Sequence, residues 1–172
     1  MNYHNITKDD MLNGDGLRVV LWVSGCEHHC EGCHNQITWN PYDGLIFDKD
    51  AKQEIFKELE KDYVQGITFS GGDPLHPKNR DGVFKLMREI KLKFPKKTIW
   101  LYTGYTWEQI YDNEDLLLTI GSFVDVLVDG KFEKENADVN YHWAGSTNQR
   151  VIDVEKTLLN AGAIVLYEKE VI

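Results

Sequence analysis

Cysteine, proline and long apolar runs are all scarce in this chain, and basic residues are outnumbered by acidic ones. Its 172 residues include only 3 cysteines and 4 prolines. The apolar run Val19–Val23 falls far short of the ~20 residues a membrane-spanning helix needs, so no membrane segment is expected. The opening MNYHNITKDD has no basic stretch followed by an apolar core, so no secretory signal is expected either, and the cytoplasm is the expected compartment. With 19 Lys and Arg against 28 Asp and Glu, the formal charge is -9. That excludes the basic footprint of a nucleic-acid binder and leaves a protein partner or a cationic small molecule. An odd number of cysteines argues against a disulfide framework. There is no internal repeat, low-complexity tract or linker, so residues 1–172 are expected to form one domain. Hydrophobic residues at 42% and aromatic residues at 12% are enough for a packed core.

All three thiols fall within eight residues, in SGCEHHCEGCHNQITW from Ser24 to Trp39. Buried cysteine acting as a small hydrophobe does not suit a stretch so rich in glycine and charge. Two metal readings stand. Cys26, Cys30 and Cys33 with one of His28, His29 or His34 would make a tetrahedral zinc site in a non-catalytic binding module. Alternatively, the three thiolates hold an iron–sulfur cluster. A four-iron cluster held by protein alone takes four cysteines, so three leave one iron open to another ligand.

Around this loop the pattern alternates strand and helix. LRVVLWVS (Leu17–Ser24), QGITFSGG (Gln65–Gly72), KTIWLYTG (Lys97–Gly104), FVDVLVDG (Phe123–Gly130), QRVIDV (Gln149–Val154) and AIVLYE (Ala163–Glu168) read as strands. DKDAKQEIFKELEKDY (Asp48–Tyr63) and DGVFKLMREIKLKF (Asp81–Phe94) read as amphipathic helices, the first capped by Asp48 or Asp50 and the second stopped by Pro95. Shorter helices are expected from Thr106 to Asp112, over EDLLLTI, and between the last two strands. Strand–helix alternation implies right-handed crossovers and a mostly parallel sheet. The strands end in Ser24-Gly25-Cys26, Ser70-Gly71-Gly72-Asp73, Thr103-Gly104-Tyr105 and Asp129-Gly130-Lys131. Ligands of parallel α/β sheets bind beyond those carboxyl ends, so one site is expected there. Six strands are too few for a full eight-fold barrel, and the expected fold is α/β, a partial, open (β/α) barrel of about six mostly parallel strands.

Cys26-x3-Cys30-x2-Cys33 after a first strand resembles the signature of the radical S-adenosylmethionine (SAM) superfamily. FSGGDPLHP (Phe69–Pro77) resembles the glycine-rich stretch those proteins carry at the end of the second strand. The stretches MNYHNI, NGDGLRVVLWVSGC, CEGCHNQITW, SGGDPLHPKN, WLYTGYTW, VLVDGKFE and GSTNQRVIDV together are similar to the activating proteins of anaerobic ribonucleoside-triphosphate reductases. The resemblance implies a [4Fe-4S] cluster on Cys26, Cys30 and Cys33, with SAM chelating the fourth iron. One electron from the cluster then cleaves SAM to a 5′-deoxyadenosyl radical that takes a hydrogen from a glycine of the partner, the large glycyl radical subunit of the reductase. It further implies that Gly71, Gly72 and Asp73 approach SAM, and that Gly32, Cys33 and His34 lie near the adenine; Gly32 stands where many members carry an aromatic residue. Thr103 is expected near adenine or ribose, Lys131 near the SAM carboxylate, and Asp129 near its ammonium or ribose. Asn148, Gln149 and Arg150 are further candidates for contact. An electron donor such as flavodoxin is expected, with the lysines of KLKFPKK (Lys91–Lys97) as a docking candidate. The oligomeric state is open, a homodimer included. The competing reading of the same chemistry is another short radical SAM enzyme, acting on a small molecule or on a different glycyl radical enzyme.

Overall fold

The computed structural model describes residues 1–169. Seven strands form one open sheet in the order β3-β1-β2-β4-β5-β6-β7. They are β1 (Asn2–Asp10), β2 (Arg18–Val23), β3 (Leu45–Ile46), β4 (Gly66–Gly71), β5 (Thr98–Tyr102), β6 (Val126–Asp129) and β7 (Arg150–Asp153). The central strands β2, β4, β5 and β6 are parallel. Both flanks turn antiparallel, β1 against β2 and β3, and β7 against β6. The sheet is therefore α/β and mostly of one direction, and its two edges, β3 and β7, do not meet.

The parallel pairs need crossovers, and helices supply them. They are α1 (Lys49–Leu59), α2 (Arg80–Lys93), α3 (Trp107–Tyr111), α4 (Glu114–Phe123) and, after β7, α5 (Val154–Leu159). Four of the five helix starts have a side-chain cap. The Asp48 carboxylate accepts from Asp50 N and Ala51 N at 3.0 Å each, which settles the cap of α1 on Asp48. Thr106 and Gln109 form a capping box for α3, and Asn113 and Asp153 cap α4 and α5. α2 ends two residues before Pro95, as the restriction on the residue preceding proline requires.

Alternation along the strands divides the side chains between two layers. Val19, Leu21, Val23, Ile67, Phe69, Ile99, Leu101, Leu127 and Ile152 pack with Ile55 and Leu59 of α1, Val83, Met87 and Ile90 of α2 and Leu116 and Ile120 of α4. The opposite face carries Trp100, Val126, Val128 and Val151, covered by Tyr102, Trp143 and Tyr167.

Three expectations change. β1 adds a strand in the N-terminal stretch, where none was assigned; of its polar sequence only Tyr3 and Ile6 reach the core, so no apolar alternation announces it. β7 runs antiparallel because residues 130–149 form no crossover helix, only the short turn Lys134–Asn136. Residues 163–168 form no sixth parallel strand. They lie against β7 through an isolated bridge, Ile152 to Leu166, and through Asp153 N to Val165 O and Tyr167 N to Val151 O.

The amino end of the sheet is closed by Arg18, which is 1% exposed. Its guanidinium donates to Thr68 Oγ1 at 2.8 Å, Asp15 O at 3.1 Å, Thr98 Oγ1 at 2.9 Å, Ile67 O at 2.8 Å and Thr98 O at 2.9 Å, and it lies over the Trp100 ring. Burial pushes its pKa down to about 10, yet five donors met by five acceptors keep the charge tolerable. Arg18→Ala removes those donors and leaves buried carbonyls of β4 and β5 unmet. We expect a loss of roughly 3 kcal/mol or more, measured by urea unfolding; a loss below about 1 kcal/mol would show that water replaces the guanidinium.

Candidate metal centre

The cysteine loop leaves the carboxyl end of β2 and returns to its own root. Gly25 N donates to Thr38 O at 2.6 Å and Cys26 N to Trp39 O at 3.0 Å, while Cys33 N donates to Cys30 O at 3.2 Å. The chain reverses through positive φ at Gly25 (107°), His29 (48°) and Gly32 (74°). Cys26, Cys30 and Cys33 are all free and part-exposed.

The Cys33 sulfur accepts from Asn35 N at 3.4 Å, and the backbone of His28 and of Phe132 lies near enough to the Cys26 and Cys30 sulfurs to favour their thiolates. Burial acts the other way. It pushes the Cys26 thiol up to about 11 and raises Cys30 as well. The Cys26 and Cys30 thiols are thus held protonated until a metal displaces the proton. Backbone N–H groups near sulfur stabilise and tune iron–sulfur ligands. The three cysteines fit a cluster.

The glycine-rich turn after β4 packs directly on this loop. Gly72 N donates to Val23 O and Asp73 N to Gly25 O, both at 2.7 Å. A Cβ on Gly72 would lie 2.5 Å from Gly25 O, and one on Gly71 would lie 2.8 Å from the backbone of Trp22 and Val23. Bare backbone is needed here first for contact with β2 and the loop, a reason the sequence did not disclose.

Asp73 is 2% exposed. Its carboxylate accepts from Leu75 N at 2.8 Å, Thr103 Oγ1 at 2.9 Å and Gly104 N at 3.0 Å, and lies 2.6 Å from His28 Nε2. Asn79 Nδ2 donates to Ser24 O at 2.8 Å and Asp73 O at 3.0 Å, fastening the same turn to the root of the cysteine loop.

Asp129 is 1% exposed. It accepts from Trp107 N at 2.7 Å and Arg150 Nε at 3.0 Å, and pairs with Arg150 Nη2. Arg150 also grips Glu108 with two bonds, of 2.9 and 2.8 Å. Gln149 Nε2 donates to Gly130 O at 2.9 Å and Asn148 Nδ2 to Lys131 O at 2.8 Å, so this network holds the Gly130–Phe132 segment beside Cys30.

The expected residues therefore gather on one rim, in two roles. Gly32, Cys33 and His34 meet the segment after β6: a Cβ on Gly32 would touch Lys134 and Phe132, and the His34 ring meets Phe132 edge-on at 5.7 Å. Lys131 is exposed there. Asp73, Thr103 and Asp129, expected near SAM, have side-chain oxygens engaged within the chain. Gln149 and Arg150 are engaged in the same way. Sequence reading missed the frame these residues form. It weighed His28 only as a zinc ligand, and it read Gly104 as a loop glycine, although a Cβ there would lie 2.3 Å from the His28 ring. Among the described residues no three His, Cys, Asp or Glu side chains converge on a single-ion position.

Fold and thiol loop together define an α/β protein carrying one iron–sulfur cluster. Residues 12–152 match the family described as 4Fe-4S single cluster domain. The chain is 47% identical over 151 residues to the anaerobic ribonucleoside-triphosphate reductase-activating protein of Enterobacteria phage T4, covering 88% of this chain and 93% of that one. It is 43% identical to the protein of that name from Vibrio cholerae, with 87% and 96% covered. For the Escherichia coli K12 protein the identity is 40%, with 88% and 97% covered. The chain belongs to the family of anaerobic ribonucleoside-triphosphate reductase-activating proteins. Its cofactors are a [4Fe-4S] cluster and S-adenosyl-L-methionine.

Two outcomes follow from this geometry. Gly72→Val drives a side chain into the Gly25 carbonyl, so iron content is expected to fall together with SAM binding; intact iron with weak SAM binding would mean that the contact with β2 is dispensable. The second concerns Glu108, whose carboxyl Arg150 holds down to about 2, against an ordinary 4.5. A carboxyl with a depressed folded pKa favours the fold above its unfolded value, and that contribution is lost as pH falls through the folded one. Because its side chain is 60% exposed, the effect is small. Wild type should exceed Glu108→Gln by about 1 kcal/mol or less near neutral pH, and the gap should shrink between about pH 4.5 and 2. Denaturant midpoints across that range check it.

Proposed function

We propose that this protein activates an anaerobic ribonucleoside-triphosphate reductase by generating the glycyl radical of its large subunit. It acts as a single domain over residues 1–172, arranged as a partial, open barrel of the radical SAM type. One observation carries the reading. Three thiols sit on one loop at the carboxyl end of a parallel sheet, in a chain close to activating proteins of that name. The cluster and SAM, when bound, supply the electron and the 5′-deoxyadenosyl group that takes a hydrogen from the partner's glycine.

This chain's residues bind and orient. Cys26, Cys30 and Cys33 would hold the cluster, and with no fourth thiol in the chain SAM would bind at its open position. Gly71 and Gly72 bring bare backbone to the same rim. Gly32 and His34 flank the place for adenine. Lys131, the exposed cation of the rim, is suited to the SAM carboxylate. Asp73, Thr103 and Asp129 act from behind, fixing the strand ends. The chain's small size supports a protein substrate, since the partner must then supply much of the cavity around its glycine.

The expected electron donor is a flavodoxin-like acidic protein. The lysine run is a poor dock for it: Lys91 pairs with Asp125, Lys93 with Glu60, and Lys97 donates to the carbonyls of Lys61 and Val64. The thiols call for a reducing compartment such as the cytoplasm, and no helix of the described residues is long and apolar enough to cross a membrane.

Cys30→Ala is expected to abolish cluster assembly and SAM cleavage; full iron and activity in that variant would overturn the ligand assignment. The substrate is tested by deuterating glycine in the reductase. Label should appear in 5′-deoxyadenosine, with a glycyl radical doublet on the larger protein. Transfer from a small molecule, with none from the reductase, would assign the chain to a different radical SAM reaction.

A further inference from the structure

We infer that His28 is a positioning residue for the cluster-binding loop, held by its imidazole in a socket built from the ends of β4 and β5. The inference rests on the reading of Cys26, Cys30 and Cys33 as cluster ligands.

Three residues separate the first two thiols. Glu27 and His29 are exposed, and the His29 ring lies on Trp39 with centroids 4.7 Å apart. His28 alone turns inward, its side chain 12% exposed. A carboxylate can only accept, so the 2.6 Å contact makes Nε2–H the donor to Asp73. The Tyr105 ring closes one side of the imidazole, edge-on at 5.0 Å. Gly104 closes another: a Cβ there would stand 2.3 Å from His28 Cδ2 and 2.6 Å from Nε2. The absent side chain of Gly104 is thus space that the imidazole occupies. Gly104 and Tyr105, just past the end of β5, thus become the wall of a socket.

The consequence for the metal is direct. The residue whose ring is anchored stands midway between Cys26 and Cys30, two positions from each. Anchoring the ring therefore fixes the backbone that joins two cluster ligands. It also joins the cysteine loop to the SGGD turn, so that the two motifs hold one relative position. Removing the imidazole leaves Asp73 with Leu75 N, Thr103 Oγ1 and Gly104 N. The turn should survive while the loop loosens.

The test uses His28→Ala, His28→Gln, whose amide can still donate to Asp73, and Gly104→Ala, which fills the socket. Amide exchange is followed first on the metal-free full-length chain. Residues 26–34 should exchange about tenfold faster or more in His28→Ala and Gly104→Ala, as loss of a hydrogen bond to a charged group implies, with β4 and β5 amides little changed. His28→Gln should lie near wild type. In the reconstituted protein the cluster's midpoint potential should shift in His28→Ala, through the loosened backbone amides around Cys26, and return in His28→Gln. Exchange within twofold of wild type, or an unshifted potential, overturns the proposal. So does equal acceleration across β4 and β5, which would make His28 a general fold residue. If the wild-type chain takes up no cluster, the functional reading fails, while exchange in the metal-free chain still decides whether the socket holds the loop.

Discussion

A carboxylate removed from water must have its charge answered by neighbours, and at Asp73 that requirement organises the whole upper end of the molecule. Its partners come from three segments: Leu75 N from its own turn, Thr103 and Gly104 from the end of β5, and His28 from the cysteine loop. None can move without leaving the buried charge short of a donor. Strand ends that a parallel sheet would merely place side by side are thereby tied into one rim. The thiols inherit their position from this rim, since Asp73 N also holds Gly25 O, at the residue before Cys26.

The same device recurs at two other points of the sheet. Asp129 draws in Trp107 N at the start of α3 and Arg150 at the start of β7, and so fixes the segment whose Phe132 backbone lies near the Cys30 sulfur. Arg18 does the converse at the amino end, one buried cation answered by hydroxyls and carbonyls. Buried charge is a poor source of net stability, but it is directional. A site that must hold three sulfurs in a set arrangement benefits from that direction more than from additional apolar contact.

The cysteine spacing, the glycine-rich turn and the alternation of strand and helix are local patterns, and they carried the thiol ligands, the central parallel strands and the cap of α1. β1 escaped because its sequence is polar at most positions and becomes a strand only by pairing with β2 and β3. The stretch from Ala163 has strand-like composition, yet it docks on β7 through single contacts. Asp73, Thr103 and Asp129 were legible as residues at strand ends, but not as an inner frame, because nothing local says whether a carboxylate faces a ligand or an arginine far along the chain.

The sequence by itself determined the chemistry on offer: three thiols on one loop, no fourth to close a cluster, no basic surface and no membrane helix. It also determined the central parallel strands and the helices between them, since hydrophobic period and capping residues act over a few positions. Tertiary structure alone decided which polar groups remain available. Pairings such as Asp73 with His28, Asp129 with Arg150 and Gly72 with Gly25 join residues distant in sequence, and a hydrogen bond depends on where two atoms meet in space. That is why Gly72 and Gly104, alike as loop glycines in the sequence, serve one as a backbone contact and the other as room for a histidine ring.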